Sequence, residues 1–144
     1  MQHRSIAKKV LIALLLVCLA QAVWIVMALP VEPPLSRIAV TYPIGDNGML
    51  YAVVSDAGGA TVPFTYRYYV YERIDYRRKA LEALRANGKA FLVTRDESAR
   101  VDVQGIVVKI AVSKDVYSFT SSTLFRHGDG YTPVSVWLSA QPAQ

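Results

Sequence analysis

Twenty consecutive positions, Val10 to Leu29 (VLIALLLVCLAQAVWIVMAL), carry one strongly polar side chain, Gln21. At about 1.5 Å per residue, a helical run of this length spans the roughly 30 Å hydrocarbon core of a bilayer. In lipid every backbone amide must be paired within its own segment, so the run predicts a helix, stopped by Pro30, Pro33 and Pro34. A cleaved leader is the rival reading. Arg4, Lys8 and Lys9 form a basic start, and Ala20-Gln21-Ala22 fits a small-x-small cleavage site. The apolar run continues seven residues past that site, which favours an uncleaved anchor.

After a stiff, proline-rich spacer, PVEPPLS, the hydrophobic pattern shortens to strand length. Residues 37–42 predict a first strand, Gly45-Asp46-Asn47-Gly48 a turn, MLYAVV a second strand and residues 61–73 a long third one. The period then becomes helical from Tyr76 to Ala86, with Asp75 placed to cap the start and Asn87-Gly88 to end it. About five more strands follow: AFLVT, ARVDV, IVVKIAV, VYSFTSSTLF and YTPVSVWLS, separated by short turns. Short turns join antiparallel neighbours. The pattern therefore predicts an α+β fold: an N-terminal transmembrane helix, then a mainly antiparallel, twisted β-sheet (sandwich or half-barrel) with one α-helix. The expected organisation is a cytoplasmic basic segment at 1–9, an anchor at 10–29, a spacer at 30–36 and an exported soluble domain at 37–144.

The stretch FTYRYYVYERIDYRRK, Phe64 to Lys79, holds five of the nine tyrosines and five Arg or Lys residues. On a strand, Phe64, Tyr66, Tyr68 and Val70 share one face, expected to be core. Arg67, Tyr69, Tyr71 and Arg73 share the other, expected to be exposed. On the helix, Tyr76, Ala80, Leu81 and Leu84 form an apolar face, opposite Arg78, Glu82 and Arg85. Tyr and Arg are enriched at the desolvated centres of protein interfaces, so Arg67, Tyr69, Tyr71, Arg73, Arg78 and Arg85 are the candidate protein-binding residues. The alternative is an ordinary solvated face, with Glu82 neutralising Arg78 and Arg85.

Composition sharpens this picture. The hydrophobic share of 53% is inflated by the apolar run, and the net charge of +5 by the three basic residues before it. The rest of the chain has thirteen basic against eleven acidic residues, a net charge of only +2, which argues against nucleic acid as a partner. The basic start places the N-terminus inside by the positive-inside rule, and the C-terminal domain in the periplasm or its equivalent. Cys18, the single cysteine, lies in the apolar run, so the soluble domain can have neither disulfides nor thiolate metal ligands.

No catalytic motif stands out, and no cofactor or metal is expected. His127 is the one histidine after the anchor; it lies in a Gly-Asp-Gly turn with no serine in a nucleophile-elbow pattern. Most carboxylates fall in turns, where Asp serves the bend. The sequence thus leads to a non-enzymatic, membrane-anchored, periplasmic protein-binding module. It would be an envelope-complex subunit or an inhibitor or immunity protein, bound to another envelope protein and compatible with homo-oligomerisation. The alternative is a domain binding an anionic lipid, glycan or peptide, and a third, weaker reading is a hydrolase using His127.

Overall fold

The computed structural model describes residues 2–27, 34–56 and 63–141. The first residues of the proline spacer, the Gly58-Gly59 loop, the start of the expected third strand and the last three residues lie outside the described ones. The chain divides into two units, Met1–Glu32 and Pro33–Gln144.

The first unit is a single helix, α1 (Gln2–Met27). It begins well before the apolar run and carries the basic residues on the same helix. Its Lys8–Met27 portion is long and apolar enough to cross a membrane. Its apolar side chains are exposed on every side, from Val10 to Met27. A helix apolar all round has no single stripe to set against one core.

The second unit is α+β, mostly sheet. Strands β1 (Leu35–Ile44), β2 (Gly48–Ser55) and β3 (Thr65–Glu72) lead to helix α2 (Arg77–Asn87). Then come β4 (Ala90–Thr94), β5 (Arg100–Gln104), β6 (Val107–Val112), β7 (Val116–Phe119), β8 (Ser122–His127) and β9 (Gly130–Ala140). They form a five-stranded sheet, β1-β2-β3-β4-β7, and a four-stranded sheet, β5-β6-β9-β8. β1 starts at Leu35, inside the expected spacer. The single strand expected at VYSFTSSTLF is two strands in different sheets, broken at Thr120-Ser121. That break hides in the sequence because Ser and Thr suit both an edge strand and a bend.

The two sheets stack as a sandwich. Leu50, Ala52, Tyr68, Val70 and Leu92 of the first meet Val108, Ile110, Phe125, Val134 and Val136 of the second in one buried cluster. The other face of the five-stranded sheet is covered by α2, whose Ala80 and Leu84 pack on Tyr51, Val53 and Tyr69. Gly48 makes part of the sheet-to-sheet contact, since a Cβ there would lie 2.6 Å from the Phe125 ring. Gly88 ends α2 for a similar reason, as a Cβ would lie 2.5 Å from Leu84 O. Asp75 does not cap the helix: the N-cap is Tyr76, with no side-chain capping bond.

Every strand pair is antiparallel except β6–β9, which runs parallel with Lys109 opposite Trp137. The chain can afford this because β7 and β8 intervene and supply the long return a parallel pair requires. Three segments pass between the sheets, at β4–β5, β6–β7 and β7–β8. The first two are fastened by Asp96, whose side chain is fully buried. Its Oδ1 accepts from Ser98 N (2.9 Å) and Ser98 Oγ (2.8 Å). Its Oδ2 accepts from Ser113 N (2.6 Å) and Ser113 Oγ (3.0 Å). Beside it, Thr94 Oγ1 donates to Asp115 O at 2.7 Å.

Burial alone would raise the Asp96 carboxyl, but the four bonds from Ser113 and Ser98 outweigh it and lower its pKa from 3.8 to about 2. A carboxyl whose folded pKa lies below its unfolded value stabilises the fold above the unfolded value, and that contribution fades as pH falls through the folded one. A shift of this size is worth about 2 kcal/mol, present above pH ~4 and lost progressively towards pH ~2. Asp96→Asn should be less stable at neutral pH by about that amount and flatter across this acid window. Urea unfolding at a series of pH values tests this, and equal acid slopes for the two proteins would remove Asp96 from the account.

Candidate functional site

The six candidate residues do not form one exposed surface. Tyr69 is only 4% exposed, no more than Tyr68 on the opposite face. It lies under α2, opposite Tyr51 on β2. The expectation of an exposed Arg67/Tyr69/Tyr71/Arg73 row is therefore corrected at its centre. Arg67 is half-buried, with its Nε shielded from solvent. Tyr71 is half-buried against the α2 cluster. Only Arg73 is open, and its backbone N–H donates to Asn47 O at 2.8 Å. The face expected to be core departs too, because Phe64 precedes the strand and is 54% exposed. Tyr68 does belong to the core: burial pushes its hydroxyl up to about 12, and its ring centroid lies 6.4 Å from that of Phe91.

The helix arginines point to different tasks. Arg78 is solvated, with Nε 3.9 Å from Glu82 Oε1. An exposed i,i+4 pair of this kind contributes a few tenths of a kcal/mol. Arg85 donates instead to the backbone oxygen of Leu35, linking the last turn of α2 to the start of β1. Tyr76, expected on the buried face, is 70% exposed, with Lys79 Nζ 5.4 Å from its ring centroid. The junction before α2 is held by Tyr51, whose hydroxyl donates to Glu72 O (3.1 Å) and accepts from Ile74 N (3.0 Å). Much of the Tyr/Arg concentration is thus spent on closing the helix over the sheet.

His127 is exposed at the β8–β9 hairpin, and its imidazole makes no hydrogen bond or ion pair among the described residues. The buried Asp96 has both oxygens committed to serine donors. Among the described residues no three His, Cys, Asp or Glu side chains gather as a metal site.

What the strand pattern left unexamined is the outer face of the four-stranded sheet. Among the described residues, neither α2 nor another strand covers it. Trp137 is 67% exposed, Tyr131 65% and Leu124 56%. Lys109 neighbours Trp137 through the parallel pairing, and Asp102 stands opposite Lys109 on β5. A shallow cleft of about 480 Å³ runs beside Trp137, lined also by Arg100, Asp102, Lys109, Ala111 and Ser139. A signal was present in YTPVSVWLS. Val134 and Val136 alternate inward, so Trp137 shares its phase with Ser135 and Ser139, on the solvent side. A large aromatic on the polar phase is the anomaly to notice.

The reassigned tyrosine makes a direct test. Truncating a buried large aromatic costs about 3–5 kcal/mol, so Tyr69→Ala should destabilise the domain as severely as Tyr68→Ala. Phe64→Ala and Arg78→Ala should each stay within about 0.5 kcal/mol of the parent protein. Chemical unfolding of the four variants decides, and a Tyr69→Ala curve that matches the parent would return that strand face to solvent. Comparison of the chain with protein-family models, curated proteins and solved structures finds no match.

Proposed function

We propose that this chain is a non-catalytic, membrane-tethered module that binds another protein outside the cytoplasm. On this reading α1 is an uncleaved anchor in the inner membrane, with the N-terminus inside. The rest of the chain is periplasmic, as a subunit of an envelope complex or an inhibitor. The observation that carries the reading is the uncovered face of the four-stranded sheet, with Trp137, Tyr131 and Leu124 each more than half exposed. Trp, Tyr and Arg are the side chains that dominate interface energetics, because each buries a large area at modest entropic cost. Arg126 lies opposite Tyr131 in the β8–β9 register, which adds the third type to the same face. The binding surface is thereby moved from the Tyr/Arg strand to the opposite side of the domain.

A photo-crosslinking residue at Ser135 should capture a discrete partner in cells, whereas one at Arg78, on the helix side, should not. Trp137→Ala should weaken that capture by about 30-fold in affinity, the equivalent of roughly 2 kcal/mol at a central aromatic, with an unchanged melting temperature. Equal capture from both faces, or capture indifferent to Trp137, would refute the assignment. The topology has its own check: an alkaline phosphatase fused after Gln144 should be active, and the intact mass should retain the N-terminal helix. A mature chain starting at Val23 would remove the anchor.

A further inference from the structure

Four strands end the two sheets: β1, β7, β5 and β8. A free edge presents unpaired backbone N–H and C=O groups, and proteins usually blunt it. β1 contains Pro43 and two register irregularities. β7 is only four residues long. β5 alternates Arg100 and Asp102 on its exposed positions. β8, Ser122-Thr123-Leu124-Phe125-Arg126-His127, has six residues, no proline and an unbroken register with β9.

The direction of its free groups follows from its neighbour. Ser135 N donates to Ile106 O (3.1 Å), on the β6 side, whereas Val136 N donates to Ser121 O (2.9 Å), on the β8 side. Ser135 therefore turns its amide away from β8, and its register partner Ser122 must turn away from β9 in the same way. Period two extends this to Leu124 and Arg126. Leu124 stands opposite Pro133, which has no amide hydrogen to give. Three residues of β8 thus offer both backbone groups to the open side.

That side borders a cleft of about 830 Å³, whose lining includes Tyr71, Lys89, Leu124, Arg126 and Tyr131. Among the described residues, Lys89 and Arg126 are its charged side chains, and no Asp or Glu lines it. Lys89 has no ion pair among the described residues. Arg126 Nε donates to Gly128 O at 3.0 Å, leaving its terminal nitrogens without an acceptor among the described residues.

We infer that the outer edge of β8 accepts an extended, acidic peptide segment of a partner protein as an added strand, with its carboxylate received by Lys89 and Arg126. This rests on the protein-binding reading and gives it a binding mode. Main-chain bonds to Ser122, Leu124 and Arg126 supply affinity, and the cleft selects side chains at alternate positions. A second copy of the chain fits less well, since β8-to-β8 pairing would bring two Lys89/Arg126 sets together with no carboxylate between them.

The test uses the full chain in lipid nanodiscs against a displayed library of random decapeptides. Enriched peptides should combine alternating β-branched residues with at least one Asp or Glu, and should slow amide exchange at Ser122, Leu124 and Arg126. Leu124→Pro removes no ladder bond, because that amide faces outward, yet it should weaken the enriched peptides at least ~10-fold. Lys89→Glu should weaken them by about the same factor, and most at low salt. Methylating the peptide backbone at alternate nitrogens repeats the experiment without altering the protein, and one of the two phases should abolish binding. No enrichment, equal binding by Leu124→Pro, protection at another edge, or exchange already slow at β8 through self-association would each overturn strand addition. Partner crosslinks at Ser135 that survive Leu124→Pro would sink it too, while keeping the protein-binding reading.

Discussion

Two stacked sheets have four faces, and the described residues of the folded domain supply one helix with which to cover them. The inner faces bury one another, in the cluster running from Leu50 and Tyr68 to Ile110 and Val136. α2 can then cover only one outer face, and it takes that of the five-stranded sheet through Ala80 and Leu84. Other features follow from this choice. Tyr69, at the centre of its β3 row, must be buried, Tyr51 must place its hydroxyl on backbone groups at Glu72 and Ile74, and the outer face of the four-stranded sheet is left to solvent. On the proposed reading, the binding surface is where the helix is not.

The same constraint explains which parts of the molecule were legible in the sequence. The apolar helix, most of the strands along the chain and the position of α2 follow from period and turn chemistry, signals that reside in neighbouring residues. Which sheet a strand joins does not. MLYAVV carried the decisive clue, because a continuous apolar run marks a strand buried on both sides, whereas YTPVSVWLS alternates and marks one buried on a single side. Read together, the two runs imply a covered sheet and an uncovered one. Read separately, the Tyr/Arg strand drew attention by composition alone, and tyrosine has too much apolar body for composition to tell surface from core. The parallel β6–β9 pair lay beyond such reasoning, since it depends on β7 leaving for the other sheet at Ser113–Asp115.

That departure places a demand on Asp96. A chain that crosses between sheets leaves backbone groups with no strand to pair them, and buried groups of this kind are costly. The Asp96 carboxylate collects two of the amides, Ser98 N and Ser113 N, and binds the crossings to each other. A buried charge is seldom a net stabiliser against a well-packed apolar alternative. Its value here is geometric: four directional bonds fix where β4 leaves and where β7 returns. With no cysteine after Cys18, the domain cannot obtain this constraint from a disulfide.

An uncovered aromatic face has a cost of its own, because it invites association with whatever it meets. Arg100, Asp102, Lys109 and Arg126 divide that face with charge of both signs, which limits indiscriminate apolar contact. On the proposed reading the tether does the rest. Two partners held to one membrane meet at an effective concentration far above their average in the compartment, so an interface of moderate intrinsic affinity can be fully occupied. Such an interface can remain small, mixed in polarity and only partly pre-formed. The domain meets that description: one face with Trp137, Tyr131 and Leu124 exposed, bordered by the β8 edge, which no bulge, proline, shortness or alternating charge protects.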